Sequence, residues 1–97
     1  MDLKLDSTVV RRADVLAQPV DDEMVMMALE SNKYYGLNPM GRRIWEMLEQ
    51  PTTVAAICAQ LVRDYDVTPE QCADEVIAFL TELMRDDTVA IVDGAAP

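Results

Sequence analysis

The run Leu37-Asn38-Pro39 constrains this chain most, because it forces a change of secondary structure at one point. Asn is a favoured helix N-cap, and Pro supplies a preset φ at the first helical position, where its missing N–H is no loss. A helix therefore starts at Pro39. Within it Gly41, Ile44, Trp45 and Leu48 fall at i, i+3, i+4 and i+7, an apolar stripe whose Gly admits close approach by another element. Upstream, Lys33 to Leu37 reads as a short aromatic strand. Glu30-Ser31-Asn32-Lys33 is the tight turn joining it to a preceding strand, Glu23 to Leu29.

That preceding strand is apolar on both faces, with Met24, Met26 and Ala28 pointing one way and Val25, Met27 and Leu29 the other. Either the fold covers both faces or one awaits a partner, since Met suits an irregular core and an adaptable binding surface alike. Earlier still, Val9, Val10, Val15, Leu16 and Val20 predict one or two β segments, interrupted by Arg11, Arg12 and Asp14, with Pro19 marking an edge. Asp21, Asp22 and Glu23 read as a solvated acidic turn.

Downstream of the first helix, Gln50-Pro51 breaks the chain and Thr52 or Thr53 caps a second helix carrying Val54, Ile57, Cys58, Leu61 and Tyr65 on one face. Thr68-Pro69-Glu70-Gln71 is a capping box that opens a third helix, expected to run to about Arg85. This helix carries two adjacent apolar stripes, Cys72, Val76, Phe79, Leu83 and Ala73, Ile77, Leu80, Met84. A band that wide serves two contacts: other helices on one side and a groove against the sheet on the other. Val89 to Val92 predict a last short strand or wing. The chain of 97 residues holds one core, divided as a polar lead-in (1–7), a single domain (8–92) and a tail (93–97).

Charge narrows the partners. With 18 acidic and 8 basic residues the net charge is −10, which opposes a sequence-independent hold on nucleic acid and on anionic membranes. No signal peptide or membrane span is expected. Cys58 and Cys72 are too few for a disulfide framework and read as buried thiols of a reducing cytoplasm. The chain has no His, the commonest member of metal sites and acid–base arrangements. No carboxylate pair and no nucleophile with a visible base stands out, so neither catalytic residue, metal nor cofactor is expected.

The order of elements gives an α+β fold: a winged helix-turn-helix with an N-terminal three-stranded antiparallel sheet packed on three helices. That layout usually binds DNA. Here the last helix offers Asp74, Glu75 and Glu82 between its apolar positions and Arg85 as its only base, a face that repels phosphates.

Tyr34-Tyr35-Gly36-Leu37-Asn38, then Gly41, Ile44-Trp45 and Leu48, resemble the strand-to-helix signature of the PqqD-like peptide chaperones: an aliphatic residue, Asn or Asp, two variable positions and Gly. These are the recognition elements for precursors of ribosomally made, modified peptides, and the resemblance covers Thr8 to Val92. It implies a fold without chemistry of its own. A leader peptide would add as an antiparallel strand beside the third strand and lay side chains into the groove against the third helix. On this chain that places Lys33, Tyr34, Tyr35, Gly36 and Leu37 along the strand, with Met27 on its neighbour, and Asp74, Glu75, Val76, Phe79, Leu80, Leu83 and Arg85 on the helix. Gly36 would let the incoming backbone lie close, and Val76, Phe79, Leu80 and Leu83 would floor the groove. Lys33 and Arg85 would meet leader acids, and Asp74, Glu75 and Glu82 leader bases.

Core roles compete with these. Tyr35, Leu37, Val76 and Phe79 serve a core as well as a peptide, Trp45 reads as core, and Arg42-Arg43 as a solvated face or a contact for an acidic partner enzyme. The length resembles the stand-alone leader-binding partner of split lasso-peptide systems, which presents the leader to a peptidase or other modifying enzyme. The alternatives are a PqqD-type chaperone in pyrroloquinoline quinone biosynthesis, a winged-helix DNA-binding regulator and an acidic structural subunit.

Overall fold

A computed structural model describes residues 3–29, 32–86 and 88–92. Its order is β1 (Thr8–Arg11), β2 (Val15–Val20), β3 (Glu23–Ala28), β4 (Lys33–Leu37), α1 (Pro39–Met47), β5 (Thr52–Thr53), α2 (Val54–Asp64), α3 (Pro69–Arg85) and β6 (Val89–Ile91). The chain is α+β, and its described residues form three helices and two three-stranded antiparallel sheets. Among the described residues no helix is long and apolar enough to cross a membrane.

The first sheet has the order β2-β3-β4, a meander made by two hairpins. Asp21 and Asn32 carry positive φ, 57° and 58°, a conformation that short Asn and Asp side chains tolerate in tight turns. The acidic turn is thus the hairpin connection itself, closing the Val20–Glu23 pair. Glu30 and Ser31 of the second turn lie outside the described residues. Met24, Met26 and Ala28 of β3 are buried, while Val25 and Leu29 are exposed, so the fold covers one face of this Met-rich strand and leaves the other open.

The second sheet has the order β5-β1-β6 and departs from the sequence expectation. The segment from Thr8 to Val20 splits in two, and its first half leaves the main sheet to pair with Thr52–Thr53 and with β6. The split falls where Arg12 donates its N–H to the Thr88 carbonyl at 2.9 Å and Arg11 to that of Leu48 at 3.0 Å, bonds that take the backbone out of β pairing with β3. Thr88 is buried, and its hydroxyl donates to the Leu83 carbonyl at 2.9 Å.

Helix starts follow their caps. The Asn38 side chain accepts from the Gly41 N–H at 2.8 Å, Thr53 from Ala56 at 3.1 Å and Thr68 from Gln71 at 3.1 Å. The core gathers Ile44, Trp45 and Leu48 of the first helical stripe, Val54, Ile57 and Leu61 of α2, and Cys72, Val76, Leu80 and Leu83 of α3, with Val9 and Val89 from the second sheet. Leu3 also packs there. Arg42 and Arg43 are more than a solvated face. Arg42 donates to the carbonyls of Asp21 and Glu23 at 2.8 and 3.3 Å, clamping α1 to the β2–β3 turn, and Arg43 meets Asp64 of α2 at 2.7 Å. Arg11 lies over the Trp45 ring, 5.3 Å from its centroid.

Candidate functional site: the groove between β4 and α3

Among the described residues β4 is an edge strand, bonded to β3 on one side only. In an antiparallel ladder alternate residues turn their N–H and C=O groups away from the neighbour, so such an edge offers a row of backbone partners to an incoming chain. α3 runs along this edge without closing on it. Two adjoining depressions of about 340 and 520 Å³ separate them.

The first depression is lined by Gly36, Leu37 and Asn38 at the end of β4, by Met40, Gly41 and Ile44 of α1, by Val67, and by Cys72, Glu75, Val76, Phe79 and Glu82 of α3. The second continues along Tyr34 to Leu37 against Phe79, Glu82, Leu83, Arg85 and Asp86. Phe79 belongs to both and forms the floor where they meet. Its ring reaches the start of α1: a Cβ placed on Gly41 would lie 3.4 Å from the ring, 3.4 Å from the Leu37 Cβ and 3.3 Å from the capping Asn38 oxygen. The bare backbone at Gly41 therefore gives cap, strand end and groove floor room to meet.

Several expected site residues come together here: Tyr34, Tyr35, Gly36 and Leu37 on the strand, with Glu75, Val76, Phe79, Leu83 and Arg85 on the helix. Others do not. Leu80 is 0% exposed and belongs to the core, lining neither depression. Met27 lies on the opposite face of the sheet, abreast of Leu16 and Tyr34. Asp74 is exposed but lines neither depression. Lys33 stands at the strand's outer end and pairs with Asp86 at 3.8 Å. Residues the pattern missed come from other elements, Asn38, Met40, Ile44 and Val67. The Asn38-Pro39 signal, which fixes where α1 begins, was the available clue that α1 would help wall the groove.

Cys72, at the groove wall, directs its thiol toward the Cys58 carbonyl at 3.9 Å. Burial, with Cys72 alongside, pushes the Cys58 thiol up from 9.0 to about 11, so it stays protonated at neutral pH and is a poor nucleophile or metal ligand. Among the described residues no group of three or more His, Cys, Asp or Glu is placed to hold a metal ion.

Residues 23–89 match the model of the family described as coenzyme PQQ synthesis protein D, PqqD, a span that runs from β3 through α3 to the start of β6. The chain belongs to the PqqD family. No curated protein matches it in sequence. Among solved structures, this PqqD-family chain is similar to TbiB1 in complex with the TbiA(beta) leader peptide, with 26% identity, TM-score 0.77, and 91% of this chain and 99% of that one covered. It shares its fold with lasso peptide synthetase B1 complexed with the leader peptide, with 21% identity, TM-score 0.75, and 84% and 96% covered. The groove described above thus lies within a PqqD fold, and β4, α1 and α3, which form it, all lie inside the span matched by the family.

Proposed function

We propose that this chain is a non-catalytic adaptor that captures the leader segment of a ribosomal precursor peptide and presents it to a leader peptidase or other modifying enzyme in the cytoplasm, in lasso-peptide biosynthesis. The observation that carries this reading is the open edge of β4 facing α3 across an apolar-floored groove, in a chain 26% identical to a protein whose structure holds a leader peptide. An extended peptide added to β4 takes its affinity from backbone hydrogen bonds and its specificity from alternate side chains entering the groove. Leu37, Val76, Phe79 and Leu83 supply the apolar floor, and Tyr34 to Leu37 the edge.

We read α2, the short link before Thr68, α3 and the β6 strand as a winged helix-turn-helix whose last helix has turned from nucleic acid to peptide. Asp74, Glu75 and Glu82 on that helix, within a chain of net charge −10, oppose phosphate. The family's own description favours a second reading, a PqqD-type chaperone in pyrroloquinoline quinone biosynthesis, which uses the same groove for a different precursor.

The test is a calorimetric titration with the leader segment of the precursor peptide encoded beside the gene, with duplex DNA as control. Saturable one-to-one binding of the leader alone supports the adaptor. Binding of DNA with silence toward the leader overturns it.

A further inference from the structure

The groove is electrically asymmetric along its length. At the end beside Leu37 and Asn38 it is lined by Glu75, at its middle by Glu82, and at the end beside Tyr34 by Arg85 and by Asp86, which Lys33 meets at 3.8 Å. The described ion pairs join Arg11 to Glu49, Arg12 to Asp14, Lys33 to Asp86, Arg42 to Glu46 and Arg43 to Asp64. None of them takes up Glu75, Glu82 or Arg85. The Lys33–Asp86 pair cancels its own charge at the Tyr34 end, which among the described residues leaves Arg85 to set the sign there. Asp74, although adjacent in sequence, lines neither depression.

We propose that the groove reads the charge order of its peptide, taking a cationic side chain in the peptide's N-terminal half against Glu75 and Glu82 and an anionic one in its C-terminal half against Arg85. The inference rests on the adaptor reading and names the peptide class. A chain joining an antiparallel sheet enters antiparallel, the slightly more stable ladder. β4 runs from Lys33 to Leu37, so the peptide's N-terminal half lies by Leu37 and its C-terminal half by Tyr34. At about 1.5 Å per helical residue and about 3.3 Å per strand residue, the separations from Glu82 and Glu75 to Arg85 correspond to roughly one to five peptide residues. A Lys or Arg therefore precedes an Asp or Glu by about that interval. The reverse order sets like charges together at both ends of the groove, so the same three residues favour one strand direction and oppose the other.

Because the whole chain is strongly acidic, any basic peptide is drawn to it. The decisive probe holds composition fixed. Two synthetic versions of the leader segment encoded beside the gene, one Lys-first and one Glu-first at those two positions, are titrated into the full chain together with a neutral Gln/Gln version. Exposed ion pairs are individually weak, so the Lys-first peptide is expected to bind about fivefold to twentyfold tighter than the Glu-first peptide, with the neutral one between. The triple variant Glu75→Lys, Glu82→Lys, Arg85→Glu should invert the ranking, and the single variant Glu82→Gln should shrink it. All three residues are exposed, so the fold is retained. Equal affinities for the three peptides would overturn the charge-order proposal and leave the adaptor standing, and silence toward all three would overturn both.

Discussion

β2 and β4 flank the same central strand, and among the described residues each leaves one side of its backbone without a strand neighbour, yet the two edges are built differently. β2 is exposed along most of its length and contains Pro19, which has no N–H to offer an incoming chain. β4 has no Pro and ends in the buried Leu37, with α3 facing it across the groove. An open edge alone is an aggregation hazard, because it pairs with any extended chain. An edge set beside a walled groove becomes selective, because an added strand must also place its side chains. The protein blunts the first edge and equips the second.

The largest effect should come from the floor of the equipped edge. Phe79→Asp puts a charge where both depressions meet and should weaken leader binding at least 30-fold, in line with about 2 kcal/mol or more for losing a buried apolar anchor. Phe79 is only half-buried, so the fold should survive, and circular dichroism with calorimetry separates the two effects. Undiminished affinity in a folded variant would remove the groove from the account. Next comes the wall. Gly41→Val forces atoms against the Asn38 cap, Leu37 and the Phe79 ring, contacts already at 3.3–3.4 Å for a bare Cβ. It should cost about 1–3 kcal/mol of stability, the usual range for overpacking, read from the denaturant midpoint, and should displace the ring enough to lower affinity as well.

How far these features could be read beforehand depends on the distance between the residues involved. Asn38-Pro39, Thr68 with Gln71, and the turn at Asn32 act over three or four residues, and the helix starts and the β3–β4 hairpin came out where those signals put them. The sheet formed by Thr8–Arg11, Thr52–Thr53 and Val89–Ile91 joins segments more than thirty residues apart, and nothing local distinguishes β1 from a strand of the main sheet. On α3 the two overlapping stripes gave no means of separating Leu80, which is core, from Phe79, which is groove; only the position of α1 and β4 around the helix divides them. Arg42 shows the same limit, since its bonds to the Asp21 and Glu23 carbonyls depend on where a hairpin turn lands.

A smaller effect is expected at the blunted edge. Pro19→Val restores a donor to β2 and extends an apolar, exposed strand next to Leu16, which is 59% exposed. Sedimentation velocity at tens of micromolar should then show a dimer fraction absent from the parent, while leader affinity changes less than about twofold, because β2 lies across the sheet from the groove. If self-association stays unchanged, Pro19 is not what keeps this edge quiet and the contrast between the edges rests on the groove alone.

The smallest effect is expected at Gly36, and it decides which face of the added strand is read. A Cβ built there meets nothing within 4 Å, and the residue sits opposite Val25 on the outer face of the sheet, where Val25 is 41% and Tyr34 71% exposed. Gly36→Val therefore meets no steric obstacle and gains strand propensity, and stability should rise by about 0.5 kcal/mol. The new side chain points away from Val76 and Phe79, so a peptide held through the groove keeps its affinity to within about threefold. A tenfold loss would mean that the incoming strand is also gripped on the outer face, where Leu16, Met27 and Tyr34 stand abreast. The missing side chain at Gly36 would then be a requirement of the bound peptide, because nothing in the unbound fold demands it.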